Sequence, residues 1–170
     1  MSILHFRKQF VAPPVAIEVP GIHARTFVAP DDIEPWLALR SRATAGLSPS
    51  VRAWSTGDFR REMLDKAWWR GDHAWLAIAG DPCVANELVG GVTLALREGS
   101  EATVPVVHWL LVDPAWQRRG IAGVLMSHLE TAAWHAGHRE VQLETHANWH
   151  AAVAFYQSIG YAPPRERSPR

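Results

Sequence analysis

The run Val106-Val107-His108-Trp109-Leu110-Leu111-Val112-Asp113-Pro114-Ala115-Trp116-Gln117-Arg118-Arg119-Gly120-Ile121-Ala122-Gly123-Val124-Leu125-Met126 decides the fold. Val106 to Val112 is β-branched, aromatic and apolar, and Asp113-Pro114 stops it, so it reads as a strand. Val124, Leu125, Leu129, Ala132, Ala133 and Ala136 recur at three- and four-residue spacing and predict a helix. Gly137 stands where a left-handed C-terminal cap belongs. Between strand and helix lies a short loop of basic residues and glycine.

The junction carries the chemistry. The first amides of a helix have no partner inside it, and the helix dipole makes that end electropositive. A diphosphate can supply the missing acceptors. Gly120, Ala122 and Gly123 keep side chains out of its way, and Arg118 and Arg119 offer charge to phosphate oxygens. The competing interpretation is an ordinary strand–helix turn containing glycine.

The spacing Gln117-x-x-Gly120-x-Ala122 resembles the acyl-coenzyme A loop of the GCN5-related N-acetyltransferase (GNAT) family. A second stretch, Asn148-Trp149-His150-Ala151-Ala152-Val153-Ala154-Phe155-Tyr156-Gln157-Ser158-Ile159-Gly160-Tyr161, resembles that family's other signature and follows in the family's order. The resemblance is good from Leu88 to Tyr161 and holds only in outline before that. It implies an α/β (α+β) single domain, a mixed and mostly antiparallel sheet with helices on both faces. It also implies a co-substrate, acetyl-CoA, whose acyl and pantetheine portion meets main chain at Leu110, Leu111 and Val112 where the strand splays open. Gln117, Arg118, Arg119, Gly120, Ile121, Ala122 and Gly123 would hold its diphosphate, with Asn148 as a further contact.

Composition agrees with a soluble domain. The chain has 170 residues, 48% hydrophobic and 20% charged, with Lys plus Arg equal to Asp plus Glu at 17 each. A zero net charge argues against a protein built to bind nucleic acid or an anionic membrane. No apolar run approaches the ~20 residues of a membrane span, and no signal-peptide core is seen. One cysteine, Cys83, rules out an internal disulfide and fits the cytoplasm. The chain lacks His-Glu-x-x-His and cysteine clusters, so no metal site is expected.

Residues 1–20 read as an N-terminal arm or extra strand, and 21–170 as the acetyltransferase domain. Strands are expected over Ile22–Val28, His73–Ala79, Leu88–Leu96 and Glu140–Thr145. A helix should run from the Pro30–Pro35 region to about Ala45, burying Trp36 and Leu37. A second should start at Ser55, with Asp58 completing a capping box. Asn148 is expected to cap the last helix and Gly160 to end it. Gly90-Gly91 suggests a bulge or a close approach. Only nine residues follow Tyr161, three of them proline, where the family usually adds one or two strands. Either the N-terminal arm or a second subunit, in a homodimer, replaces the missing pairing.

Amide formation from a thioester needs a neutral amine, a polarised carbonyl and a proton for the departing thiolate. An alkyl ammonium with a pKa near ~10 is mostly non-nucleophilic at neutral pH. Tyr156 matches the family's thiolate-protonating tyrosine; a core tyrosine is the alternative. His108, placed by alternation on the same strand face as Leu110, is one candidate base, and Glu144 or His146 another. His108 also reads as a buried, satisfied histidine, and Glu144 as a surface carboxylate. Trp54, Trp68 and Trp69 would form an aromatic wall for an apolar or cationic acceptor, with Trp36, Trp75 and Trp109 in the core. The expected activity is N-acetylation of an amine on a small molecule or peptide. The alternative is a non-catalytic acyl-CoA-binding sensor or interaction module of the same fold.

Overall fold

The computed structural model describes residues 2–80 and 86–164; Cys83 and the chain after residue 164 lie outside them. Six strands form one sheet: β1 (Ile3–Gln9), β2 (Ile22–Thr26), β3 (Ala74–Ala79), β4 (Glu87–Glu98), β5 (Thr103–Val112) and β6 (Glu140–His146), in the order β1-β6-β5-β4-β3-β2. Every neighbouring pair is antiparallel except β5–β6. Four helices complete the fold: α1 (Ile33–Thr44), α2 (Thr56–Phe59, continued by a π-helical turn over Arg60–Leu64), α3 (Ile121–His135) and α4 (His150–Ser158). No described helix is long and apolar enough to cross a membrane.

The sheet divides two cores. On one face α3 and α4 bury Leu125, Leu129, Ala133 and Tyr156 against Val89, Leu94, Val107, Val141 and Leu143. On the other, α1 and α2 bury Trp36, Leu37, Leu39, Phe59 and Met63 against Leu76, Ile78 and Leu111. Local chemistry explains the ends. Ser55 accepts from the Asp58 amide while Asp58 accepts from the Ser55 amide, a complete capping box. Gly137 and Gly160 take positive φ at the ends of α3 and α4. Asn148 does not cap α4: the cap position is Trp149, no side-chain bond closes it, and Asn148 lies exposed in the preceding turn.

Gly90 sets where α3 meets the sheet. A Cβ there would stand 2.8 Å from Ile121 Cγ2 and 3.0 Å from Leu125 Cδ1, so only glycine lets the first turn of α3 come this close to β4. The far edge is closed by the N-terminus. β1 pairs with β6 from Ile3–His146 to Gln9–Glu140, and Arg7 and Ala162 exchange backbone hydrogen bonds on its other side. Lys8 ties this edge to α3, donating to both oxygens of buried Glu130 at 2.9 and 3.1 Å.

Candidate active site

Two irregularities of β5 build the site. The first is a bulge. Gly91 pairs with Leu111 but Thr93 pairs with His108, so Trp109 and Leu110 together oppose Val92. Trp109 absorbs the extra residue at φ 50°, a conformation that costs a bulky side chain about 1–2 kcal/mol. The bulge also breaks alternation. Leu110 packs into the α3–α4 core, whereas His108 meets Trp68 on the α1–α2 side. His108 and Leu110 therefore do not share a face, as strict alternation would require.

The second irregularity is a parting of strands. β5 and β6 register at Val106–Gln142, and beyond that pair β6 is held by β1 while β5 continues alone with β4 on its other side. Among the described residues, the side of Leu110, Leu111 and Val112 facing β6 has no strand partner. Asp113 fixes this free end. It is buried, accepts from Arg42 Nε of α1 at 2.6 Å and from the Ala115 amide at 2.9 Å, and its own amide donates to Val89. Burial alone would raise its pKa; the Arg42 and Ala115 hydrogen bonds outweigh that and hold the carboxyl below its ordinary value.

The loop that follows leads straight into α3. Arg118 and Gly120 both have positive φ, at 63° and 84°. Gly120 is the cap residue of α3, and no side chain caps the helix. The first intrahelical bond is Val124 N–H to Gly120 C=O, so the amides of Ile121, Ala122 and Gly123 precede the helical ladder. Gln117, Arg118 and Arg119 are exposed beside them, and Arg119 lies over the Trp116 ring at 4.7 Å. The glycines also serve the chain itself. Val19 Cγ2 stands 3.0 Å from where a Cβ of residue 120 would be, and Ile17 Cδ1 3.6 Å from one at residue 123. The segment between β1 and β2 thus crosses the first two turns of α3, and the Ile17 amide donates to Ser127 Oγ in the second.

Tyr156 is buried in the α3–α4 core, its ring 5.6 Å from Phe155 and 5.9 Å from Tyr161. Burial pushes its phenol well above the ordinary value, so it carries its proton at any physiological pH. His108 is half-buried among Trp68, Trp109 and Arg97, and desolvation followed by Arg97 and Lys66 lowers its pKa to about 4. Glu144 is exposed on β6 and lies 3.5 Å from His5. Two residues on from the Val106–Gln142 pair, His108 and Glu144 stand on opposite sides of the opening, both turned from the α3–α4 core.

Of the three tryptophans expected to form an aromatic wall, Trp68 meets the His108 ring at 4.9 Å while the other two turn inward. Trp69 packs edge-on against Phe27 and Phe59 in the core. Trp54 faces inward and meets Trp109 edge-on, and Arg40 of α1 lies in the corner they make, 4.1 Å from the Trp54 ring and 4.3 Å from that of Trp109. The cation stacked on these rings is the protein's own. Arg40 had a sequence signal that reading by charge missed: it sits four residues after Trp36 and three after Leu37, on the buried side of α1. Arg97 had none, since only the β4–β5 pairing brings it to His108.

A model of the acetyltransferase (GNAT) family matches residues 36–161. A mycothiol acetyltransferase of Nocardiopsis dassonvillei is 31% identical over 171 residues, covering 88% of this chain and 48% of that protein. The chain spans about half the length of the curated relatives it matches. A GCN5-related N-acetyltransferase from Sphaerobacter thermophilus superposes with a TM-score of 0.68 at 21% identity, over 99% of this chain and 45% of that one. The aminoglycoside N-acetyltransferase AAC(6′)-Iy, solved with CoA, does so at 0.59 and 19% identity, over 90% of this chain and 98% of that one. Those two likenesses speak to the fold; the family match covers the bulge, the opening, the loop and α4 together, and the chain belongs to the GNAT family of acetyltransferases.

Proposed function

We propose that this protein is an acetyl-CoA-dependent N-acetyltransferase that moves the acetyl group directly to an amine of a small molecule or peptide. The observation that supports this best is the parting of β5 from β6 after Val106, directly beside the uncapped N-terminus of α3. The opening suits an extended thiol arm, and the helix end suits the diphosphate behind it.

In this reading the amides of Ile121, Ala122 and Gly123, with Gln117, Arg118, Arg119 and Gly120, hold the diphosphate. Main chain from Leu110 to Val112 binds the pantetheine arm and donates to the carbonyl oxygen as it gains charge. Asn148, exposed in the turn before α4, is placed to add a cofactor contact. The amine attacks the thioester carbon, the C–S bond breaks, and the Tyr156 hydroxyl gives its proton to the departing thiolate.

The proton leaving the amine goes to Glu144 through water. His108 suits that task less well. Arg97 donates to its Nδ1 at 3.1 Å, and an arginine never gives up its proton in this range. Nδ1 is therefore the acceptor nitrogen and Nε2 carries the hydrogen, so His108 faces the site as a donor.

The deciding experiment measures thiol release from acetyl-CoA against a panel of amines. Amine-dependent release is the expected result. Tight acetyl-CoA binding with no release on any amine would instead support a non-catalytic acyl-CoA sensor.

A further inference from the structure

Three of the six buried side-chain nitrogen or oxygen atoms that lack a hydrogen-bond partner among the described residues lie in one cluster: Arg40 Nε, Trp109 Nε1 and His108 Nε2. All three are donors. Trp and Arg nitrogens can only donate, and Arg97 fixes His108 as the Nε2–H tautomer. They are contiguous, with Arg40 4.3 Å from the Trp109 ring and the Trp109 and His108 rings 6.0 Å apart. Buried donors without acceptors are rare and costly, which makes a run of three informative.

The charge balance sharpens this. Arg40 is 2% exposed and, among the described residues, forms no ion pair; its side chain there makes one hydrogen bond, from Nη1 to the Arg52 carbonyl at 3.0 Å. Asp58, which acts on it through space, is already held by Arg52 and Arg61. Desolvation first, then Arg52, pulls Arg40 down to about 10, the direction of a buried cation wanting an anion. The Trp54 and Trp109 rings meet at 81° and form a corner against the guanidinium, whose Nε–H has no acceptor among the described residues. An edge of paired N–H groups is the surface that binds a carboxylate.

The cluster lies where an acceptor would meet the acyl group. Trp109 immediately precedes Leu110, on the α1–α2 side of the bulge. Its cover is a loop: Arg52 and Trp54 belong to the connection between α1 and α2, the kind of segment that opens most readily.

We infer that the acceptor is an amine that also bears a carboxylate, and that Arg40, Trp109 and His108 bind that carboxylate with their unpartnered N–H groups. This rests on the N-acetyltransferase reading and narrows its substrate class. It differs from the expectation of an apolar or cationic acceptor, because Arg40 already lies over the Trp54 and Trp109 rings.

The test compares glycine, β-alanine, 4-aminobutyrate and diglycine with their C-terminal amides as acceptors. The matched acids should exceed the amides at least about tenfold in kcat/KM, since a site built of donors rejects a ligand that cannot accept. The diglycine arm separates a peptide terminus from a free amino acid. In Arg40→Met the preference should collapse, through a raised KM for the acid, while acetyl-CoA still binds and so reports an intact fold. Trp109→Phe keeps the ring over Arg40, removes one N–H, and should lose part of the preference. Tryptophan emission gives an independent reading, because each preferred acid should shift it saturably and its amide should not. Equal rates for acids and amides, or a preference that survives Arg40→Met, would overturn the inference and leave the activity standing. If no amine is turned over, the activity reading fails, and the emission titration decides the carboxylate site alone: no saturable response to any acid overturns it.

Discussion

Arg97 of β4 reaches along the sheet to His108 of β5 and donates from Nη2 to Nδ1 at 3.1 Å, which fixes a neutral histidine in a half-buried place. The folded protein resists protonating it, with a pKa of about 4 against 6.5 in the unfolded chain. The sign follows from linkage. Between those values the unfolded state binds the proton and the native state does not, so stability falls as pH drops through the window. The loss attributable to His108 is about 3 kcal/mol at most. Urea unfolding at pH 7 and pH 4 should show it. His108→Gln, which keeps an acceptor for Arg97, should flatten the slope; an equally steep slope in that variant would show that other groups cause it.

In the proposed mechanism the same tautomer argument makes Glu144 the base. Glu144→Gln should lower kcat about 100-fold, with acetyl-CoA binding unaltered. Glu144 is exposed and its partner His5 lies 3.5 Å away, so the fold should not depend on it. If His108→Gln lowered kcat by that factor and Glu144→Gln did not, the assignment would be reversed.

Gly120 carries two constraints at once. Its φ of 84° strains any residue with a side chain, and a Cβ would press on Val19 Cγ2 at 3.0 Å. Gly120→Ala should cost about 1–2 kcal/mol in stability, and it should weaken acetyl-CoA at least about tenfold by shifting the first amides of α3. Calorimetry of coenzyme A binding checks the second effect. Val19→Ala in the Gly120→Ala background should restore part of it if the contact matters, and nothing if only the backbone strain does.

Local chemistry made much of this fold legible. Strand β5, the apolar face of α3, the capping box at Ser55 and the glycines ending α3 and α4 all follow from patterns within a few residues. The family match confirms the membership that the glycine loop and the Asn148–Tyr161 stretch suggested. What escaped depends on partners distant in the chain. The bulge at Trp109 exists because β4 and β5 register on either side of it, and it turned His108 away from the face that alternation assigns. Arg40 looks like a surface residue by type, yet two aromatic rings from separate segments enclose it. Asn148 had the right chemistry for a cap but the helix begins one residue later than that role requires.

Closing the sheet with its own N-terminus has a measurable consequence. Glu130 is buried on α3, and Lys8 is its hydrogen-bonded partner at both oxygens. Lys8→Met leaves that carboxylate uncompensated and should cost about 2 kcal/mol in urea unfolding. Lys8→Met with Glu130→Gln should recover part of the loss, because an amide is cheaper to bury than a lone charge. Failure to recover any would mean that the lysine stem packing on Phe10 and Tyr161 carries the effect instead.

Tyr156 is the sharpest test of turnover. Its phenol is buried and keeps its proton, so it can donate but cannot act as a base near neutrality. A coenzyme A thiolate is a stronger base than water, and a donor beside it lowers the cost of C–S cleavage in the step that follows attack. Tyr156→Phe keeps the ring that packs on Phe155 and Tyr161, so the fold and acetyl-CoA affinity should hold while kcat drops about 100-fold. The loss should be smaller with an acyl donor whose thiol is more acidic, because a better leaving group needs less help. A uniform loss across leaving groups would mean that the hydroxyl positions the thioester rather than protonating the sulfur, and no loss at all would remove Tyr156 from the chemistry.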